Sequence, residues 1–485
     1  MNCLKISSMF LRMIIMAVLF HFYLPAYGQP ATGPLRVCPA NKRYFTDGSG
    51  KVVFLAGSHT WDNFATDQGT VDPPTAFDYD RYLSFMVEHN HNFFRGWVWE
   101  LALSDEGPNG GPFYWDPFPW QRTGPGLATD SKPKFDLDQY NPEFFKRIRS
   151  RAIKAGERGI YVSIMLFQGF AIQFDRNDHD GYPLDGRNNI NGIDAGTGYA
   201  SNTLQYRFVT TKQDEYVKKI IDAVNDLDNV LYEISNESGS YSIEWQYHMI
   251  NLIHEYEDTK PKQHPVGMTF AYKGGSNSDL FKSPADWISP DGSSGYGYPL
   301  TDPPAADGSK VIVNDTDHSY YWTGLREDGV AKQQEWVWKN FLRGNYILFM
   351  DPYLSKIDKR NDPGGSTTDP YFGVNPDPYW ETMRQALGRT RFFATKMDLA
   401  SDTPQNALSS TSYCLANPGK EYLVYNPDPA NRSLTVDILI GVYAFEWYNP
   451  TTGKVEKQGE IGSSGGNYSF TIPFNGDAVL YLLKK

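Results

Sequence analysis

Cysteine is nearly missing from this chain: three residues in 485. One of them, Cys3, falls in an N-terminal segment that reads as removable, which leaves Cys38 and Cys414. At most one disulfide is open to the mature chain, and burial of both as small side chains is the favoured reading. Neither cysteine lies in a site-like segment, which argues against a thiol nucleophile. Clusters of Lys and Arg are also missing, and the net charge is −12. That balance excludes a nucleic-acid partner and fits an ordinary solvated acidic surface. Long apolar runs are missing too. Met13–Leu24 is too short to span a bilayer comfortably. Lys5 and Arg12 precede it and Ala26-Tyr27-Gly28 follows, so residues 1–28 read as a cleavable signal for a secreted or periplasmic protein. The chain shows no sustained internal repeat and no low-complexity tract.

Aromatic residues, by contrast, make up 15% of the chain, and Gly, Pro, Asn and Asp are plentiful. This mix suits a loop-rich enzyme that stacks rings on flat apolar ligand faces, sugars included. It is not the composition of a disordered chain.

The stretch Asn229–Ser238, NVLYEISNES, is the most informative. Val230–Ile234 reads as a buried strand that ends in Asn236-Glu237. An acid beside an amide at the end of a rigid apolar strand suits general acid catalysis, since a partly desolvated site raises a carboxyl pKa. Eight strands are expected, starting at Val52, Asn92, Tyr161, Val230, Val266, Asp286, Val311 and Tyr346. Helical patterns at Phe77–His89, Pro142–Arg158, Lys212–Leu227, Ile243–Tyr256 and about Ala331–Arg343, or long loops, separate them. The expectation is an α/β fold: a (β/α)8 TIM barrel over 29–399, then a small antiparallel β-sandwich over 400–485. Trp99–Pro133 reads as one long Trp/Pro/Gly loop, open to an aromatic sugar platform or to core packing.

In such a barrel the chemistry sits at the carboxyl ends of strands, where Arg95, Glu237, Asp315, Asp317 and Asp351 fall. In VIVNDTDH, Val311, Val313, Asp315 and Asp317 share a face by the period of two. Glycoside hydrolysis takes two carboxyl groups, and Glu237 with Asp315 or Asp317 supplies them. Arg95 is expected to steady a carboxylate. His59, Trp61, Trp99, Asn236, His318, Tyr320, Trp322 and Asp351 are the candidate substrate-binding residues. A divalent ion on Asp315, Asp317, His318 and Asp351 is the rival reading. It ranks below the glycosidase, because Tyr320, Tyr321 and Trp322 follow at once, and no metal or cofactor is expected. The DRNDHDG stretch, Asp175–Gly181, only faintly follows a calcium loop: Arg176 stands at the second position and no closing Glu follows.

NVLYEISNE resembles the fourth-strand motif of clan A glycoside hydrolases, in which the Glu after Asn is the acid/base. Arg95 in NFFRGW matches the arginine on their second strand. The ending EYLVYNPD…YAFEWYNPTTGK…FTIPFNGDAVLYL resembles a small β-domain labelled collagen-binding that follows apiosidase-like barrels of the DUF4038 type. The resemblance implies a glycosidase with a carbohydrate substrate, Glu237 as acid/base and a carboxylate on the seventh strand as its partner. Clan A enzymes carry Glu there. VIVNDTDH carries Asp315 at the matching position, with Asp317 close behind, so retaining and inverting mechanisms both stay open. The alternative is a catalytically silent carbohydrate-binding protein on the same scaffold.

Overall fold

The computed structural model describes residues 29–60, 63–69, 71–98, 102–104, 113–169, 172, 181–196, 198–291, 301–318, 328–351, 353 and 378–485. Its centre is an eight-stranded sheet in which every recorded pairing is parallel. The strands are β1 (Ala56–His59), β2 (Phe93–Gly96), β3 (Tyr161–Gln168), β4 (Val230–Asn236), β5 (Val266–Thr269), β6 (Trp287–Ser289), β7 (Val311–Asp315) and β8 (Tyr346–Met350). Their order around the sheet runs β1-β8-β7-β6-β5-β4-β3-β2. Asn92 closes the ring from β2 to β1. Its side-chain oxygen accepts from Ala56 N at 3.0 Å, and its backbone N–H donates to Ala56 O at 2.9 Å. Gly57 permits that closure, since a Cβ there would sit 2.0 Å from the Phe93 carbonyl oxygen. The fold is a TIM-type barrel, as the alternating sequence pattern predicts.

Helices α1 (Tyr79–Glu88), α2 (Pro142–Gly156), α3 (Arg207–Val224), α4 (Ile243–Glu257), α5 (Asn277–Lys282), α6 (Val330–Leu342) and α7 (Glu381–Lys396) accompany the sheet. Helix α2 shows why they form. Asn141 caps it by accepting from Glu143 N at 3.1 Å, and Pro142 opens the first turn with its φ already helical. Phe144, Ile148, Ala152 and Ala155 recur at helical spacing and are buried.

Two sequence expectations need correction. Val52–Val53 is not the first barrel strand. It pairs antiparallel with Phe45–Thr46 in a small outer sheet, and the barrel strand begins at Ala56. The apolar run continues across both, so hydrophobicity alone could not divide them. Nor is Trp99–Pro133 a single structureless loop. Phe113–Asp116 pairs with Asp67–Gly69 and with Leu103–Ser104, and Trp120–Leu127 pairs with Pro133–Tyr140. Trp115 and Trp120 are buried in the core, and Trp115 Nε1 donates to Gln68 Oε1 at 2.9 Å. These two rings are packing, not an open platform.

The C-terminal strands form a six-stranded antiparallel sheet that runs through Glu421–Asn426 and Ala478–Lys484, and a two-stranded sheet of Ser433–Ile438 with Gly466–Thr471. Both faces of the larger sheet are covered. Tyr422, Val424, Leu480 and Leu482 join Leu434, Val436 and Phe470 inside the sandwich. The alternate residues Leu423, Tyr425, Val479 and Tyr481 pack with Trp338 of α6 and Phe393 of α7. Period-two alternation thus serves two cores at once. Cys38 and Cys414 are free and buried.

Candidate active site

Strands β1, β2, β4 and β7 each send a side chain to one cluster. Because β2, β4 and β7 are not neighbours in the sheet, their contacts cross the barrel interior. Arg95, at the end of β2, is the hub. Its Nε donates to Glu233 Oε2 at 2.8 Å, and Nη2 donates to Glu233 Oε1 as well. Nη2 also donates to Asn236 Oδ1 at 2.7 Å. On the opposite side Nη1 donates to Asp315 Oδ2 and to Asp317 Oδ2, each at 3.0 Å. Burial alone would lower the guanidinium pKa. Glu233 first, then Asp315 and Asp317, raise it past that effect and hold Arg95 as a cation.

Asp315, the last residue of β7, is fully buried and closely held. His59 Nε2 lies 3.1 Å from Asp315 Oδ1 and 3.0 Å from Oδ2. Trp97 Nε1 donates to His59 Nδ1 at 3.0 Å, so the ring proton stands on Nε2 and points to Asp315. The chain then turns. Asp317 N donates to Asp315 Oδ1 at 3.0 Å and His318 N to the Asp315 carbonyl at 3.0 Å, which brings Asp317 back over Asp315. Burial pushes the Asp315 carboxyl up, but His59 and then Arg95 and His318 outweigh it and hold it well below the usual carboxylate range. His318 Nδ1 meets Ser289 Oγ at 3.3 Å, and its Nε2 stands 3.6 Å from Asp317 Oδ2.

Glu237 follows β4 directly. It is half-buried, with φ at +52°, a left-handed conformation rare outside glycine. Its neighbours hold it there. Asn202 Nδ2 donates to Ser238 Oγ at 2.7 Å, and Ser235 Oγ lies 2.5 Å from the same atom. Gly169, just past β3, lets that loop come close: a Cβ there would meet Ser238 N at 2.4 Å. These contacts all fall on Ser238 and fix the backbone just beyond Glu237.

The structure therefore brings Arg95, His59, Asn236, Asp315, Asp317 and His318 together. Asp351 is different. Both of its carboxylate oxygens accept from Arg384 of α7, Nε at 2.8 Å and Nη2 at 2.6 Å, in a fully buried pair. Its side chain braces β8 against α7. Trp61, Trp99, Tyr320 and Trp322 lie outside the described residues, as does the DRNDHDG stretch apart from Gly181. Asp315, Asp317 and His318 do offer ligand atoms within 4.8 Å of one another. The Arg95 Nη1 already bridges the two aspartates, so a divalent ion there would face a buried cation, and the donor set suits Arg95 better than a metal.

Sequence reasoning missed Glu233, Trp97 and Gln168. Gln168 Oε1 accepts from Asn236 Nδ2 at 3.3 Å and fixes the amide opposite Arg95. Glu233 carried a readable signal: a lone carboxylate in an apolar strand, an even number of positions from Glu237, with a buried arginine expected nearby.

The profile of a family described as a domain of unknown function, DUF6298, matches residues 105–273. No curated protein matches the chain. Among solved structures, the chain is similar to a family 5 glycoside hydrolase from Bacteroides vulgatus, with 13% identity, a TM-score of 0.58 and coverage of 94% of this chain and 95% of that one. A second glycoside hydrolase matches with 13% identity, a TM-score of 0.57 and coverage of 93% and 97%. At this identity the likeness establishes the fold alone, a TIM-type barrel with C-terminal sheets.

Proposed function

We propose that the protein is a secreted glycoside hydrolase in which Glu237 is the general acid/base and a β7 carboxylate completes the pair. The observation that carries this reading is the Arg95 bridge. One guanidinium ties the β4 strand end, beside Glu237, to both β7 aspartates across the barrel. The residue before Glu237 and the β7 carboxylates thus share one mouth of the barrel, where a pair of carboxyl groups would flank a glycosidic bond. Asp315 is the nucleophile or base by its position at the strand end. Asp317 is its understudy, one turn further along. Asn236 orients Glu237 or a sugar hydroxyl, and His59 and Arg95 keep Asp315 ionised. His318, Trp61, Trp99, Tyr320 and Trp322 are proposed to line the sugar subsite. The proposed kinship with apiosidase-like, DUF4038-type enzymes rests on the sequence motifs, and the C-terminal sheets act as a brace for α6 and α7. Residues 1–28 act as the export signal, which N-terminal sequencing of the mature protein would test.

The functional test is a screen of the purified protein against plant and microbial polysaccharides and aryl glycosides, with NMR of the first product. Glu237→Gln should lose at least about a hundredfold in turnover, the lower range for a general acid. Full activity in Glu237→Gln would sink the assignment. Inversion at the anomeric carbon would make the β7 aspartate a base acting through water, and retention would make it a nucleophile. Sugar binding without turnover on the whole panel would favour a silent binding protein.

A further inference from the structure

The loop that carries Glu237 is flanked by aromatic rings, one from the segment after β3 and one from the loop after β5, on either side of β4. Tyr272, from the loop after β5, pairs through its backbone with Gly239, two residues beyond Glu237. Lys273 O also accepts from Ser240 N at 3.4 Å. On the other flank, the short helical turn Gly198–Asn202 bonds the same loop through Asn202 and Ser238. Tyr199 of that turn packs on Tyr241, with ring centroids 5.0 Å apart and planes at 47°. Tyr241 in turn lies over Gly239, where a Cβ would meet its Cε1 at 2.5 Å. Tyr199 is thereby held in place, yet 37% of it is exposed, and 38% of Tyr272 is exposed. In a chain that buries Trp115 and Trp120, two exposed rings beside the acid are a built feature.

We infer that Tyr199 and Tyr272 form a leaving-group subsite for a second sugar ring, an inference that rests on Glu237 being the acid. The acid gives its proton to the glycosidic oxygen, so the departing group must lie on the acid's side of the bond. The β7 carboxylate serves the opposite side, where the cleaved sugar sits. Rings that flank the acid's loop therefore meet the group that leaves. Tyrosine faces stack on the CH-rich faces of sugar rings, while the phenol edges stay wet. The substrate this describes is an oligo- or polysaccharide that carries a further sugar on its leaving side, rather than a glycoside of a small alcohol.

The test compares two substrates of the sugar to which the enzyme responds: an oligosaccharide and a 2,4-dinitrophenyl glycoside, whose leaving group needs neither proton nor subsite. Tyr199→Ala and Tyr272→Ala should each lower kcat/KM on the oligosaccharide up to about tenfold. Both should leave the dinitrophenyl glycoside nearly unchanged. Tyr199→Phe and Tyr272→Phe keep the ring face and should restore oligosaccharide activity. Equal losses on both substrates, or no loss on either, would overturn the subsite while leaving the Glu237 reading intact. If dinitrophenyl glycoside turnover survives Glu237→Gln no better than oligosaccharide turnover, the acid assignment itself fails and the subsite fails with it.

Discussion

Two buried aspartates in this protein are shifted in opposite directions, Asp315 below the usual carboxylate range and Asp402 above it. At the barrel mouth Glu233, Asp315 and Asp317 surround Arg95, with His59 behind them. Where the C-terminal sheet begins, Asp402 is buried beside two further carboxylates, Glu421 and Asp398. Among the described residues no donor bonds either Asp402 carboxyl oxygen. Both oxygens of Glu421 are already taken, by Asp398 N at 2.8 Å and by Tyr481 Oη at 2.9 Å. Burial therefore raises Asp402 to about 9, with Glu421 and Asp398 adding to it, whereas Asp315 is held low. Burial acts the same way on both acids. The partners decide which one keeps its proton, His59 and then the Arg95 cation at Asp315 against two further carboxylates at Asp402.

The strongest way to break the comparison is to remove the cation. Arg95→Met would leave Glu233, Asp315 and Asp317 buried without their partner. Removing one side of a buried ion pair costs about 3–5 kcal/mol, so urea unfolding should show a loss of that size at pH 7. The loss should shrink as pH falls into the carboxylate range, because protonated acids no longer need Arg95. A loss that stayed constant with pH would mean that packing, not charge, holds the cluster.

Asp402 sharpens the other half. Its folded pKa lies above its unfolded value of about 3.9, so the folded state binds the extra proton between the two. The stability it contributes is complete below pH 4 and is lost as pH rises through about 9. Asp402→Asn removes the titration and keeps the shape. It should gain about 1–3 kcal/mol over wild type at pH 9 and little at pH 4, by thermal unfolding at both. Asp315→Asn should do the reverse. Asp315 has a lowered pKa, so its contribution is present above the usual carboxylate value and is lost as pH falls below it. An Asp402→Asn curve parallel to wild type would show that Asp402 is already ionised in the fold.

Glu233→Gln should cost less, about 1–3 kcal/mol, because the amide still accepts from one Arg95 nitrogen. If Glu233 holds Arg95 in place, turnover should fall mainly through kcat, with KM little changed. A change confined to KM would place Glu233 in sugar binding instead.

The barrel was readable because its strands are short apolar runs between helical patterns, and burial from both sides makes such runs continuous. Val52 was misplaced because VVFLAG runs unbroken across two different sheets. Arg95 could be anticipated, since a buried arginine at a strand end must meet an acid. Glu233 stood out as a lone carboxylate in an apolar strand, but nothing local paired it with Arg95. Glu233 lies 138 positions away and meets Arg95 only through the closure of the barrel. Asp351 looked like a site residue for the same reason that Arg95 did, being a charge at a strand end. Its partner Arg384 sits on a helix 33 residues later, and no local pattern joins the two. The strand at Phe113–Asp116 was hidden because its partner, Asp67–Gly69, carries no strand signature of its own.

The smallest expected effect isolates burial itself. Arg149 and Asp226 form a two-pronged pair, with Nη1 to Oδ1 at 2.6 Å and Nη2 to Oδ2 at 2.8 Å. That matches the fork of Arg95 on Glu233 in kind. Here, however, the side chains are 40% and 65% exposed, against 1% and 0% for Arg95 and Glu233. Water screens the attraction, and each group left alone is resolvated. Arg149→Met should therefore change stability by less than about 1 kcal/mol, and added salt should erase even that. Run beside Arg95→Met in the same urea titration, the pair of variants sets a buried arginine holding three carboxylates against an exposed one holding Asp226 and the Ala223 carbonyl. Equal losses would mean that geometry alone sets the strength of these pairs, and the contrast between Asp315 and Asp402 would then need another cause.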